Sequence, residues 1–271
     1  MRFYAIAVYL FLYVPIGIIV LFSFNAGNHA SELRGLSVQW YAKALSNPFV
    51  GDAFTTSLIV AFTVAILSSL MGTAAALALQ RLTGKMRILF DGLIYVSVMI
   101  PGIVIGIATL VALVTVFDFL NPLLASIWPA GFEAPKLHMG YASVIAAHTL
   151  FTMSLVIIMV RARIAGMDRA LIEASMDLYA TPWRTFYQVT LPQIYPAILA
   201  GFLLSFTFSF DDFIISFFVA GPNTTLPVYI FASIRRGITP EVNAIGTMVL
   251  LGSLVLLMTA QYLMREKRKD K

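Results

Sequence analysis

The chain has 271 residues, 60% of them hydrophobic and 11% charged, with a formal net charge of +5 and no cysteine. A soluble domain carries about 25% charged residues, so a chain this apolar cannot cover itself in water and reads as an integral membrane protein. The missing cysteines exclude disulfides, thiolate metal sites and thiol nucleophiles.

A helix needs about 20 apolar residues to cross about 30 Å of hydrocarbon. Residues 4–24, 53–79, 89–117, 141–160, 195–219 and 243–264 reach that length. Backbone groups in lipid must bond within their own segment, so each run is predicted as a helix. The expectation is an all-α polytopic fold of about six transmembrane helices in one domain, 1–271.

Residues 4–24 outlast the apolar core of a signal peptide and precede no clear small-x-small cleavage site, so they are read as retained. Trp40 and Tyr41 follow in a short amphipathic stretch, and Trp128 lies in a later one. Such aromatics sit at headgroup level or dock an external partner, and both readings stay open. In the second segment, Ser68, Ser69 and Gly72 are small enough to let another helix approach; Gly102 and Gly106 offer the same in the third. Pro101 predicts a kink or break there, facing protein or a cavity.

Basic residues set the orientation. Arg2, Arg81, Lys85, Arg87, Arg161, Arg163, Arg169, Arg184, Arg265, Lys267, Arg268, Lys269 and Lys271 fall on one side; Arg34, Lys43, Lys136, Arg235 and Arg236 fall on the other. Positive charge favours the cytoplasm, so both termini are expected there. The basic tail serves as an orientation signal or as a lipid-headgroup patch.

Several chemistries lack their signatures. No GxxxxGK[ST] loop, HExxH or GxSxG occurs. His29, His138 and His148 share no metal-ligand spacing, and no carboxylate–histidine set suggests acid–base work. The expectation is a transport subunit, not an enzyme, without metal or cofactor of its own. Uphill transport would then draw on a partner subunit or an ion gradient.

The fifth segment carries Asp211 and Asp212 among apolar residues. A charge at bilayer depth costs about 2.5–3.5 kcal/mol on insertion scales, so it faces a cavity or a partner. On a continuous helix Ser205, Ser209, Asp212 and Ser216 form one polar stripe, which is expected to face a substrate path. Asp211 lies nearer Thr207, on the path or bonded to a neighbouring helix. A structural carboxylate near the outer interface is the bland alternative for both. On the functional reading a dry carboxylate attracts a cation, and neighbouring phenylalanines add cation–π contacts.

The loop 161–194 is the most specific feature. A short amphipathic helix there would put Leu171, Ala174 and Leu178 on one side, with Glu173 and Asp177 as an acidic pair. Glu173, Ala174, Ala180, Leu191 and Pro192 resemble the Glu-Ala-Ala coupling loop of ABC importer permeases. Ser175 replaces the second alanine of that pattern, and Tyr179 stands where the family has glycine. A left-handed tyrosine costs about 1–2 kcal/mol, so either the turn differs here or the helix ends elsewhere.

Residues 205–212 with 218–222, 237–244, Gln39–Trp40–Tyr41 and Met99–Ile100–Pro101 also resemble spermidine/putrescine importer permeases. The resemblance implies the type I ABC importer permease fold, in a bacterial inner membrane. It implies a second permease subunit, two ATP-binding subunits that hold ATP and magnesium, and an extracytoplasmic binding protein. Membrane lipid surrounds the assembly, and nucleic acid has no part in it. Glu173, Ala174, Ser175, Asp177, Leu178, Tyr179 and Ala180 would couple to the ATPase. Asp212, Asp211, Ser205, Ser209 and Ser216 would line the polyamine path. An ABC importer for another solute and an ion-gradient-driven secondary transporter are the alternatives.

Overall fold

The computed structural model describes residues 2–29, 32–129, 132–168, 170–237 and 239–269, with side chains for all of these except 2, 256, 257 and 259–269. Arg169, Ile238 and Lys271, and the side chains of Arg2 and of the basic tail, lie outside the described residues.

The helices are α1 (Arg2–Ser23), α2 (Gln39–Ser46), α3 (Pro48–Leu79), α4 (Gly84–Met99), α5 (Gly102–Ile127), α6 (Tyr141–Ala165), α7 (Ala170–Asp177), α8 (Pro182–Thr185), α9 (Leu191–Asp211), α10 (Ile214–Val219), α11 (Leu226–Arg236) and α12 (Pro240–Lys269). A π-helical turn, Phe186–Thr190, joins α8 to α9. Among the described residues five runs are long and apolar enough to cross a membrane: Phe3–Ser23, Pro48–Leu79, Gly102–Ile127, Tyr141–Ala165 and Pro182–Asp211. A shorter apolar stretch, Pro240–Val255, forms the first part of α12.

Two expected segments are broken. The run 89–117 splits at Ile100 and Pro101, whose backbones are extended at ψ 132 and 137. Proline has no N–H to donate and pushes the residue before it out of the helical region. Helix α5 then continues past Asp118 and Pro122 to Ile127. The run 195–219 splits as well: α9 ends at Asp211, Asp212 is extended at φ −69 and ψ 120, and α10 restarts at Ile214.

The chain forms two compact units, Met1–Asp52 with Tyr229–Lys271, and Ala53–Val228. In the first, α12 packs against α1 and α2. The loop after α1 is knotted around Asn25, which is fully buried. Its Nδ2 donates to the carbonyls of His29 and Glu32, and its Oδ1 accepts from the N–H groups of Gly27 and Arg34. Gln39, Trp40 and Tyr41 clamp this knot. Gln39 Nε2 donates to the Ala26 carbonyl at 2.9 Å, Trp40 Nε1 to the Asn25 carbonyl at 2.8 Å, and the Tyr41 hydroxyl pairs with Ser23 Oγ at 2.6 Å. Trp40 is buried, so it is neither a headgroup anchor nor a free docking residue, as its aromatic character alone suggested. In the same unit Glu241 accepts from Asn47 Nδ2 at 2.9 Å and pairs with Lys43 Nζ at 3.5 Å.

The second unit is organised by α6. One apolar cluster joins Val60 and Val64 of α3 to Val144 and Ala147 of α6 and to Ile215 and Val219 of α10. Another joins Ala76, Ile94, Val156, Val160 and Ile194, from α3, α4, α6 and α9. Lipid is as apolar as these side chains, so the association rests on close van der Waals packing and interhelical hydrogen bonds. The small residues supply both. A Cβ on Gly72 would lie 2.8 Å from Val156 Cβ, and one on Gly201 would lie 3.2 Å from Val156 Cγ1, so two helices close on one valine. Ser68 Oγ bonds Thr152 Oγ1 at 2.7 Å across the same contact. Gly106 meets α10, where a Cβ would stand 2.8 Å from Phe218 Cδ2 and 3.4 Å from the Ile215 Cα. A Cβ on Gly102 would lie 3.9 Å from Ile214 Cδ1, so the break before α5 and the break before α10 pack on one another. Gly221 ends α10 at φ +56 against the Met139 carbonyl, a position only glycine fills without strain.

Candidate functional site

The interruption after α9 gathers the polar residues of the fifth segment around a histidine of α6. His148 is 2% exposed. Its Nδ1 lies 2.8 Å from Ser209 Oγ. Its Nε2 lies 3.2 Å from Ser216 Oγ and 3.2 Å from Asp212 Oδ2. The same Asp212 oxygen accepts the Ser216 N–H at 2.9 Å, satisfying a donor that the start of α10 would otherwise leave open. A proton on Nε2 faces the carboxylate, and the Ser209 hydroxyl can donate to Nδ1 or accept from it. Three elements are thus tied at one imidazole.

The polar stripe is therefore not a helical stripe. The helix stops between Ser209 and Ser216, and tertiary contact with His148 brings Ser209, Asp212 and Ser216 together. Ser205 is fully buried, and its Oγ has no partner among the described residues. Asp211 points elsewhere. It is exposed, and with Thr207, Phe208, Asp212 and Phe213 it borders an open depression of about 470 Å³. A carboxylate on the outer surface of a membrane helix is tolerated where it meets water or a partner. Asp212 borders the same depression with its side chain 21% exposed, while one of its oxygens is held by His148 and Ser216.

His148 is what sequence reasoning missed. No local spacing links it to Asp212, and no carboxylate–histidine pair was expected. The available signal was an ionisable side chain inside an apolar run, which needs a partner wherever it lies.

The loop after α6 presents a second constellation. Helix α7 covers the expected short helix, and no residue in it is buried. Ile172 and Ser175 are half-buried, whereas Leu171, Glu173, Ala174, Met176, Asp177 and Leu178 are exposed. Leu171, Ala174 and Leu178 thus share the open side with the acidic pair. Ser175 Oγ pairs with Thr185 Oγ1 at 3.0 Å, so the serine that replaces alanine fastens α7 to α8. The helix ends in a Schellman turn. Tyr179 N–H donates to the Met176 carbonyl at 2.9 Å, and Ala180 N–H to the Ser175 carbonyl at 3.1 Å. Such a turn places its C′ residue in the left-handed region, and Tyr179 has φ +59. The turn is therefore kept in the presence of tyrosine; neither a different turn nor a different helix end accommodates it. The side chain is 95% exposed. Beyond it, the Leu191 N–H reaches the Phe186 carbonyl five residues back. That wide turn lets Pro192, which lacks an N–H, enter α9.

The family model for the binding-protein-dependent transport system inner membrane component matches residues 68–269. The chain belongs to this family. Among the relatives of this permease is the putrescine transport system permease protein PotI of Escherichia coli K12, 34% identical over 264 residues that cover 96% of this chain and 89% of the relative. The spermidine/putrescine transport system permease protein PotC of the same strain is 32% identical, covering 97% and 93%. Among solved structures, a bacterial ABC transporter for the acidic polysaccharide alginate superposes with a TM-score of 0.76 at 17% identity, covering 97% of the permease and 92% of that chain. An amino acid ABC transporter with histidines superposes at 0.57 and 18% identity, covering 85% and 100%. These structures establish the fold: the permease has the architecture of an ABC importer transmembrane subunit.

Proposed function

We propose that this permease is one of two transmembrane subunits of an ATP-driven polyamine importer. The observation that carries the proposal is its identity with putrescine and spermidine/putrescine permeases along nearly its whole length. Two cytoplasmic ATPases hold the ATP and magnesium, and an extracytoplasmic protein delivers the solute. Both termini lie in the cytoplasm, on the side that carries most of the lysine and arginine.

The two constellations divide the work. The open side of α7, with Glu173, Asp177 and Leu178, seats against the ATPase and passes its closure to the helices. The Schellman turn and the Ser175–Thr185 bond make α7 and α8 move together. Asp211 is free to meet an ammonium group in the depression beside Phe208, where an aromatic face adds to the attraction. Asp212, held by His148 and Ser216, keeps α9 and α10 in place beside it.

The test is solute-stimulated ATP hydrolysis by the reconstituted complex with its binding protein. Putrescine or spermidine should raise the rate, and histidine or an acidic oligosaccharide should not. Stimulation by either of the latter, with none by polyamines, would refute the substrate assignment.

A further inference from the structure

A cavity of about 1030 Å³ opens where α3 and α6 end and the α8–α9 run begins. It exceeds the range of about 300–1,000 Å³ usual for small-molecule sites. Arg81, Arg87 and Arg161 line it, and none of the described lining residues is acidic. Arg161 bonds Asp91 Oδ1, and Arg87 Nε lies 3.8 Å from Asp91 Oδ2. One carboxylate thus holds two guanidinium groups in position without matching the charge of three. Each guanidinium carries five donors, so both keep N–H groups free for another acceptor.

Apart from Gln80 and Thr190, the rest of the wall is aromatic and aliphatic. Trp183, Phe186 and Ile158 are among its lining residues. Trp183 stacks on Tyr187 with centroids 6.1 Å apart, and both are exposed. Aromatic pairs at the ends of spanning helices lie at headgroup depth. Arginine forks match phosphate oxygens bidentately, and basic pockets between helices at this level take anionic lipid headgroups.

We propose that this cavity binds the phosphate headgroup of an anionic phospholipid, with its acyl chains passing along the aliphatic wall into the bilayer. The site is independent of which solute the permease carries. It would tie α3, α4, α6 and the α8–α9 run together at the end of the bundle where α7 lies.

The test uses the full chain, purified with its partner subunits and exchanged into micelles containing equimolar phosphatidylglycerol and phosphatidylethanolamine. Retained lipid is read by native mass spectrometry. Phosphatidylglycerol should be retained selectively. Arg81→Gln should weaken its retention about fivefold, because one arginine near a lipid surface contributes about that factor. Arg81 is exposed and no carboxylate lines the cavity beside it, so the variant should fold. Arg81→Lys, which keeps the charge but not the fork, should retain more lipid than Arg81→Gln and less than the parent, and Arg236→Gln, outside the cavity, should change nothing. Equal retention of the two lipids, or unchanged retention in Arg81→Gln, would overturn the proposal. So would displacement of the lipid by excess inorganic phosphate, which would mark a free-anion site instead.

Discussion

Replacing Tyr179 by glycine should stabilise the turn that ends α7. Tyr179 is left-handed at φ +59, and its side chain is 95% exposed. A non-glycine residue in that conformation costs about 1–2 kcal/mol. Glycine removes the cost but gains about 0.5–1 kcal/mol of freedom in the open state. The difference favours the variant by about 0.5–1 kcal/mol, a two- to fivefold change in an opening equilibrium. The amides of Tyr179 and Ala180 report this opening directly, because they donate the two bonds of the turn. Hydrogen exchange at residues 179 and 180 should slow about two- to fivefold in Tyr179→Gly and quicken in Tyr179→Val, whose branched Cβ fits the region worse. Unchanged or faster exchange in the glycine variant would refute the strain argument and show that the tyrosine side chain itself supports the turn.

Gly72→Ala should lower the melting temperature. Its Cβ would stand 2.8 Å from the fully buried Val156, and overpacking of about 1–3 kcal/mol outweighs about 1 kcal/mol of helix propensity. Val156→Ala added to it should restore part of the loss, and Gly92→Ala, with open space around it, should not destabilise; a Gly72→Ala protein as stable as the parent would contradict the packing account. His148→Ala should destabilise more than Asp212→Asn. The alanine strands the buried hydroxyls of Ser209 and Ser216 at about 1–3 kcal/mol per group, whereas asparagine can still accept the Ser216 N–H; thermal unfolding in the reverse order would show that the imidazole is not the tie. Asp211→Asn should leave the melting temperature unchanged but raise the KM for polyamine uptake about tenfold or more, the cost of losing one charged hydrogen bond; an unchanged KM would remove Asp211 from the path.

The membrane class, most of the spanning helices and the short helix in the loop 161–194 were legible because each depends on local pattern. Apolar runs of sufficient length mark the spans, and Glu173 to Pro192 carry a recognisable spacing. The break at Pro101 was also legible, since proline acts on its own backbone. The break at Asp212 was not. No glycine or proline marks it, and its cause is tertiary: the Asp212 carboxylate caps α10 while binding a histidine 64 positions earlier. Trp40 was read by residue type as a headgroup anchor or a docking residue, but its indole N–H had a closer acceptor in the Asn25 carbonyl. Tyr179 shows the opposite limit. The position was correctly singled out, yet residue type alone could not decide whether the backbone or the side chain would yield.

The central claim is that this permease moves polyamines only as part of an ATP-driven assembly. Its most direct test is uptake of radiolabelled putrescine and spermidine into proteoliposomes holding this chain with its partner subunits, with ATP or the binding protein withheld in turn. The account predicts uptake that requires both, and none from the chain alone. Uptake by the chain alone, driven by an ion gradient without ATP, would contradict it.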